Sequence, residues 1–96
     1  MHAVIASVPT EHGSRYLQQL CKHWSHKMPV EFNADAGSVK FPSGAILTMT
    51  AQAGTLDVRL DLPEGEDAGQ MEGVVATHLD RFAFREGPLS FHWVAI

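Results

Sequence analysis

Two segments near opposite ends of the chain carry the side chains best suited to binding chemistry. The first runs from Arg15 to Lys27 and holds His23 and His26; the second runs from His78 to Glu86 and holds Arg81 and Arg85. His23 and His26 are three positions apart, so on a helix both imidazoles face the same side and can reach one metal ion. A closed site needs three or four donors, so this pair needs His78 or His12 as a third. The competing reading is two solvated histidines near a helix C-terminus, where their charged form suits the dipole. In the second segment His78 borders the apolar stripe, with Arg81 and Arg85 one and two turns further along the same flank. Arginine presents a planar fork to carboxylate or phosphate, so this row suits an anion. The competing reading is structural ion pairing with Asp80 or Glu86.

Nucleophilic catalysis finds little support. The serines lack a nucleophile-elbow setting, the glycines form no phosphate loop, and no two carboxylates are placed as an acid and base pair. Cys21 lies on an apolar stripe, where a thiolate is disfavoured. An enzyme is therefore the least supported class, and the residues leave any cofactor unknown.

Bulk composition narrows the partners. A net charge of −4, with 7 Lys and Arg against 11 Asp and Glu, lacks the basic surface that nucleic acid or an anionic membrane requires. No apolar run approaches a membrane span or a signal h-region. The single cysteine cannot close an internal disulfide, which fits a reducing, cytoplasmic compartment. Ninety-six residues make one domain, 1–96, with one hydrophobic core.

The elements that must position these residues follow from periodicity. Ala3 to Val8 reads as a strand. Thr10 offers a helix N-cap with Glu11 in the first turn, and Leu17, Leu20, Cys21, Trp24 and Met28 mark one helical face running to about His26. Strands follow over Val30–Ala34, Ser38–Phe41, Ala45–Ala51 and Thr55–Leu62, joined by turns too short for parallel crossovers. The last alternates Leu56, Val58, Leu60 and Leu62 with Asp57, Arg59 and Asp61, so one face is buried and one wet. Met71, Val75, Leu79 and Phe82 mark a second helix, stopped by Gly87-Pro88, and Leu89, Phe91 and Trp93 alternate in a closing strand. Phe84 lies opposite the stripe of its helix, so either it marks a homodimer contact or the helix frays before it. The order β-α-β-β-β-β-α-β predicts a two-layer α+β domain, a curved antiparallel sheet of about six strands with two helices on one face. Such an arrangement is similar to the TATA-binding-protein-like or helix-grip folds. A ferredoxin-like fold has only one hairpin between its helices.

The segment from Leu20 to Lys27 and that from His78 to Glu86, followed by an aromatic strand ending near Trp93, together resemble a bacterial family, domain-of-unknown-function family 2218. The resemblance spans nearly the whole chain. It implies a short cytoplasmic domain that accompanies flavin-dependent siderophore-interacting proteins, and recurrent polar positions at His23, His26, His78, Arg81, Arg85 and Glu86. The resulting expectation is a small binding or accessory domain in iron–siderophore handling; a histidine metal-binding protein and a purely structural or oligomerising domain are the alternatives. The ligand-binding residues expected are His23, His78, Arg81 and Arg85. They would hold an anionic or metal-chelating ligand where the two helix flanks meet.

Overall fold

Alternation of apolar and polar residues builds the sheet, and a 3.6-residue period builds the layer that covers it. The computed structural model describes residues 2–96, with Met1 outside the described residues. Six strands form one sheet: β1 (His2–Pro9), β2 (Val30–Phe32), β3 (Ala36–Lys40), β4 (Ile46–Gln52), β5 (Thr55–Leu62) and β6 (Val94–Ala95). Helix α1 (Gly13–Trp24) follows β1, and α2 (Ala68–Phe82) follows β5. Every pairing is antiparallel, in the order β2-β3-β4-β5-β1-β6. The chain is an α+β domain with an open six-stranded antiparallel sheet and two helices, as the element order predicts.

Register aligns the inward side chains into rows. One row crosses Val4, Leu60, Leu47 and Val39; the next crosses Ala6, Val58, Met49 and Gly37. Helix α1 lies over these rows on β3 and β4, and α2 packs beside it and on β5. Leu17, Leu20 and Cys21 of α1 and Val75 and Leu79 of α2 complete the core with no exposed surface. Burial pushes the Cys21 thiol up to about 11, which makes it inert at neutral pH, in keeping with its place on the apolar stripe. The outer face is polar around β5, where Ser7 donates to Asp57 at 2.9 Å and Arg59 forks onto Asp61, while Ile5 and its β6 partner Val94 stay exposed beside it.

Four local expectations need correction. First, α1 starts at Gly13, three residues beyond Thr10, and no side chain caps it. The Thr10 hydroxyl is used elsewhere: it accepts from the His12 N–H at 3.1 Å and donates to Glu86 at 2.8 Å. The late start also presses Gly13 onto β5, where a Cβ would lie 3.1 Å from Leu56 Cβ. Second, regular α1 ends at Trp24 rather than near His26. The Trp24 carbonyl accepts from both Lys27 and Met28 at 3.0 Å, closing a final turn ahead of Pro29. Third, Ala36 and Gly37 belong to β3 rather than to a turn, and β2 stops at Phe32. Asn33 makes the reversal by accepting from the N–H groups of Asp35 and Ala36, a turn mimic open to asparagine. Fourth, Leu89, Phe91 and Trp93 do not form the closing strand; only Val94 and Ala95 pair with β1. The Phe91 and Trp93 rings instead stack on one another at 5.7 Å and pack beside the core.

No helix among the described residues is long and apolar enough to cross a membrane.

Candidate functional site

The two helices run antiparallel, so the C-terminal end of α1 faces the middle of α2, and the N-terminal end of α1 faces the turn after α2. This places two polar clusters along the seam between α1 and the end of α2.

The first cluster is the histidine pair. His23 of α1 and His78 of α2 have ring centroids 5.8 Å apart. Trp24, which is 5% exposed, lies under the pair, its ring 4.9 Å from that of His78 and 5.2 Å from that of Phe41. Phe82 meets His23 edge to face at 6.2 Å. His78 Nδ1 lies 2.7 Å from the Val74 carbonyl. A carbonyl only accepts, so Nδ1 carries a proton and Nε2 is the ring nitrogen left for another partner. His23 shows its outer edge to solvent, but packing against His78 and Phe82 desolvates the rest. That desolvation, followed by the charges of His78, Arg81, Lys27 and His26, holds its pKa below the usual 6.5. Both effects favour the neutral form of His23.

The second cluster lines a cleft of about 540 Å³ between α1 and the segment after α2. Its floor is the Glu86 carboxylate, which accepts a very short hydrogen bond from the Tyr16 hydroxyl and a 2.8 Å bond from Thr10. Its walls include Arg15 and Gln19 of α1 and Phe84 and Arg85 beyond α2, with His12 at one end. Arg85 Cζ sits 5.6 Å from the Phe84 ring centroid, a cation–π distance. Phe84 is 71% exposed; this is where the aromatic without a core position goes. Phe82 lines the cleft and touches His23, so one side chain joins the two clusters.

The four residues expected to share a site are therefore divided. His23 and His78 touch, and Arg81 is close enough for its charge to act on His23, whereas Arg85 belongs to the neighbouring cleft. His12 stands against Tyr16 at the far end of α1 and does not join the pair. Among the described residues no three His, Cys, Asp or Glu side chains gather as a metal site, so neither His26 nor His12 completes a three-donor set with His23. The carboxylates expected to pair with the arginines are occupied otherwise. Asp80 accepts the Leu89 N–H at 2.8 Å and pins the C-terminal segment, while Glu86 serves Tyr16 and Thr10. Among the described residues, Arg15, Arg81 and Arg85 have no ion-pair partner.

Tyr16, Gln19 and His23 fall on one flank of α1, but periodicity cannot show that Tyr16 pairs with Glu86, 70 positions away. The clue is a buried tyrosine hydroxyl, which must find an acceptor. The partnership sets the protonation of both groups. Hydrogen bonds from Tyr16 and Thr10, with His12 nearby, hold the Glu86 pKa below the usual 4.5 despite some desolvation. Burial first, and Glu86 second, hold Tyr16 above the usual 10. Glu86 stabilises the fold fully above about pH 4.5, and that contribution fades as pH falls through its lowered folded value. Tyr16 keeps its proton when folded, so above about pH 10 the unfolded chain is favoured. Tyr16→Phe should cost about 1 kcal/mol at pH 7. It should also flatten the loss of stability between pH 5 and pH 3, relative to the parent chain, in urea melts across that range. An unchanged acid slope would show that the hydroxyl does not set the Glu86 titration.

No curated protein matches the chain. Among solved structures, the NMR structure of PA4090 from Pseudomonas aeruginosa is similar, with a TM-score of 0.80 and 32% sequence identity over 98% of this chain and 96% of that one. The model of a family described as uncharacterized protein conserved in bacteria (DUF2218) matches residues 5–94, which takes in both helices, all of the sheet's hairpins and both polar clusters. The chain belongs to the DUF2218 family.

Proposed function

We propose that this domain is a binding module that holds a small anionic ligand in the cleft between α1 and the segment after α2. The observation that carries this reading is the state of the charges. Two guanidinium groups, Arg15 and Arg85, stand on the walls with no ion-pair partner among the described residues, against the single carboxylate of Glu86, so the lining is net cationic. A volume of about 540 Å³ is that of a small-molecule site. Guanidinium groups bind carboxylate and phosphate through paired hydrogen bonds, and Phe82 and Phe84 supply apolar surface for the rest of the ligand. In the family setting the ligand classes to try first are ferric siderophores, flavin phosphates and polycarboxylates. A flavin-dependent siderophore-interacting protein is the partner proposed, with the cytoplasm as the place of action.

The test is a thermal-shift screen of those three classes, followed by calorimetry on any hit. A ligand at 100 times its dissociation constant should add about 2.7 kcal/mol of stability. Arg85→Ala should weaken binding roughly 10- to 100-fold, the loss of one charge-assisted contact, with little change in the melting temperature of the free chain. No stabilisation by any class, or binding that ignores Arg85→Ala, would refute the proposal.

A further inference from the structure

The histidine pair lies outside that cleft and has its own chemistry. We propose that His23 and His78 form a two-imidazole site that takes a divalent transition metal presented in an anionic chelate. The remaining coordination positions are filled by the chelator. With a metal–nitrogen bond near 2.0–2.1 Å, two imidazoles on one ion have ring centroids about 4.5 Å apart when cis and about 6.4 Å when trans. The observed 5.8 Å lies between these, so the adjacent positions that a tetradentate chelate leaves open require the rings to close by about 1.3 Å. His23 is exposed at its outer edge, so a small rotamer change closes the pair without moving a helix.

The donor state is also prepared. The Val74 carbonyl fixes the His78 proton on Nδ1 and leaves Nε2 as the donor, the backbone support that ligating histidines usually have. Trp24, Phe41 and Phe82 wall the pair and hold the rings in place.

Charge decides the form of the metal. Arg81, Lys27 and His26 lie close enough to act on His23, and Arg81 has no ion-pair partner among the described residues. A bare divalent cation is repelled there, whereas a metal inside a polycarboxylate cage of net negative charge is attracted. No third protein donor joins the pair among the described residues, which suits an ion that arrives with most of its ligands already bound.

The probe is Ni(II)–nitrilotriacetate, a tetradentate chelate of net charge −1 with two adjacent free positions. It is titrated into the full chain without a histidine tag, in a Trp93→Phe background, with the emission of Trp24 as the readout. Trp24 lies 4.9 Å from His78, so a paramagnetic ion on the pair quenches it. We expect saturable quenching that weakens roughly 100-fold in His23→Ala and in His78→Ala, since each leaves single-point attachment, and that is unchanged in His26→Ala. Arg81→Ala should weaken binding of the chelate and strengthen binding of aqueous Ni(II). His23 is exposed, so its variant decides the matter even if the half-buried His78 variant folds poorly. Quenching unaffected by His23→Ala overturns the site, and an Arg81→Ala effect of the same sign for both forms of nickel overturns the chelate preference. Arg85→Ala leaves this binding intact, so its outcome is separable from that of the anion cleft.

Discussion

Trp24→Ala is expected to lower the unfolding free energy by about 3–5 kcal/mol, the range for removing a large buried aromatic. Trp24 is 5% exposed and closes the end of α1, where its ring meets Phe41 edge to face and lies against His78. Its removal leaves a cavity with a polar imidazole on one wall, and alanine fills little of it. The loss should appear in urea or thermal melts. Trp24→Phe, which keeps an aromatic body, should cost less than half as much. The same alanine variant should lose most of its affinity for the nickel chelate, measured by calorimetry since the Trp24 reporter is gone, because His78 loses the surface that orients it. A cost below about 1.5 kcal/mol, the level of a volume-conserving swap, would mean that Trp24 is not the keystone of this end of the core.

Gly37→Ala should destabilise the domain by about 1–3 kcal/mol, and Cys21→Ala should restore much of that loss. Gly37 ends the inward row that begins at Ala6, and α1 crosses the sheet there. A Cβ at this position would lie 2.7 Å from Cys21 Sγ and 3.2 Å from Phe32 Cβ. Neither neighbour has room to retreat, since Cys21 is fully buried and Phe32 is held in β2. Alanine gains about 0.4–1 kcal/mol by restricting the unfolded chain, so the clash must exceed that gain to show, and overpacking normally does. A double-mutant cycle measures the contact itself, with a coupling on the order of 0.5–3 kcal/mol. If the two substitutions add without coupling, α1 does not rest on Gly37 through the cysteine.

How far the sequence could be read depended on whether a residue's partner was near or distant. Strand β5 matches its expected span from Thr55 to Leu62 because seven alternating residues leave no other register. Thr10 has the right chemistry for a cap, yet α1 starts beyond it because the hydroxyl is taken by Glu86, 76 positions away, which no local pattern reveals. Leu89, Phe91 and Trp93 carry the alternation of a strand, yet two aromatic rings that stack on one another satisfy themselves without a ladder. The contact of His23 with His78 follows once the helices are taken as antiparallel neighbours. Separating Arg85 from that pair needs the end of α2, which breaks at Ala83 and turns the following residues toward Tyr16. The anion cleft was therefore out of reach of periodicity, since its floor is a hydrogen bond between two distant segments.

The position of β1 has a consequence for the order in which the molecule is made. It is the earliest strand in the chain, yet it lies between β5 and β6, and Ser7 meets Asp57 at a separation of 50 residues. The hairpins β2-β3-β4-β5 close locally as they appear, while Val4, Ala6 and Val8 have no neighbouring strand until β5 has been synthesised. At translation rates of about 5–20 residues per second, an apolar strand waits roughly 3–10 s before it can pair. Over that interval its unpaired backbone and apolar side chains are open to any other extended chain nearby. The growing polypeptide is thus most vulnerable to aggregation before the β4–β5 hairpin is complete, and that risk rises with the number of copies being translated together.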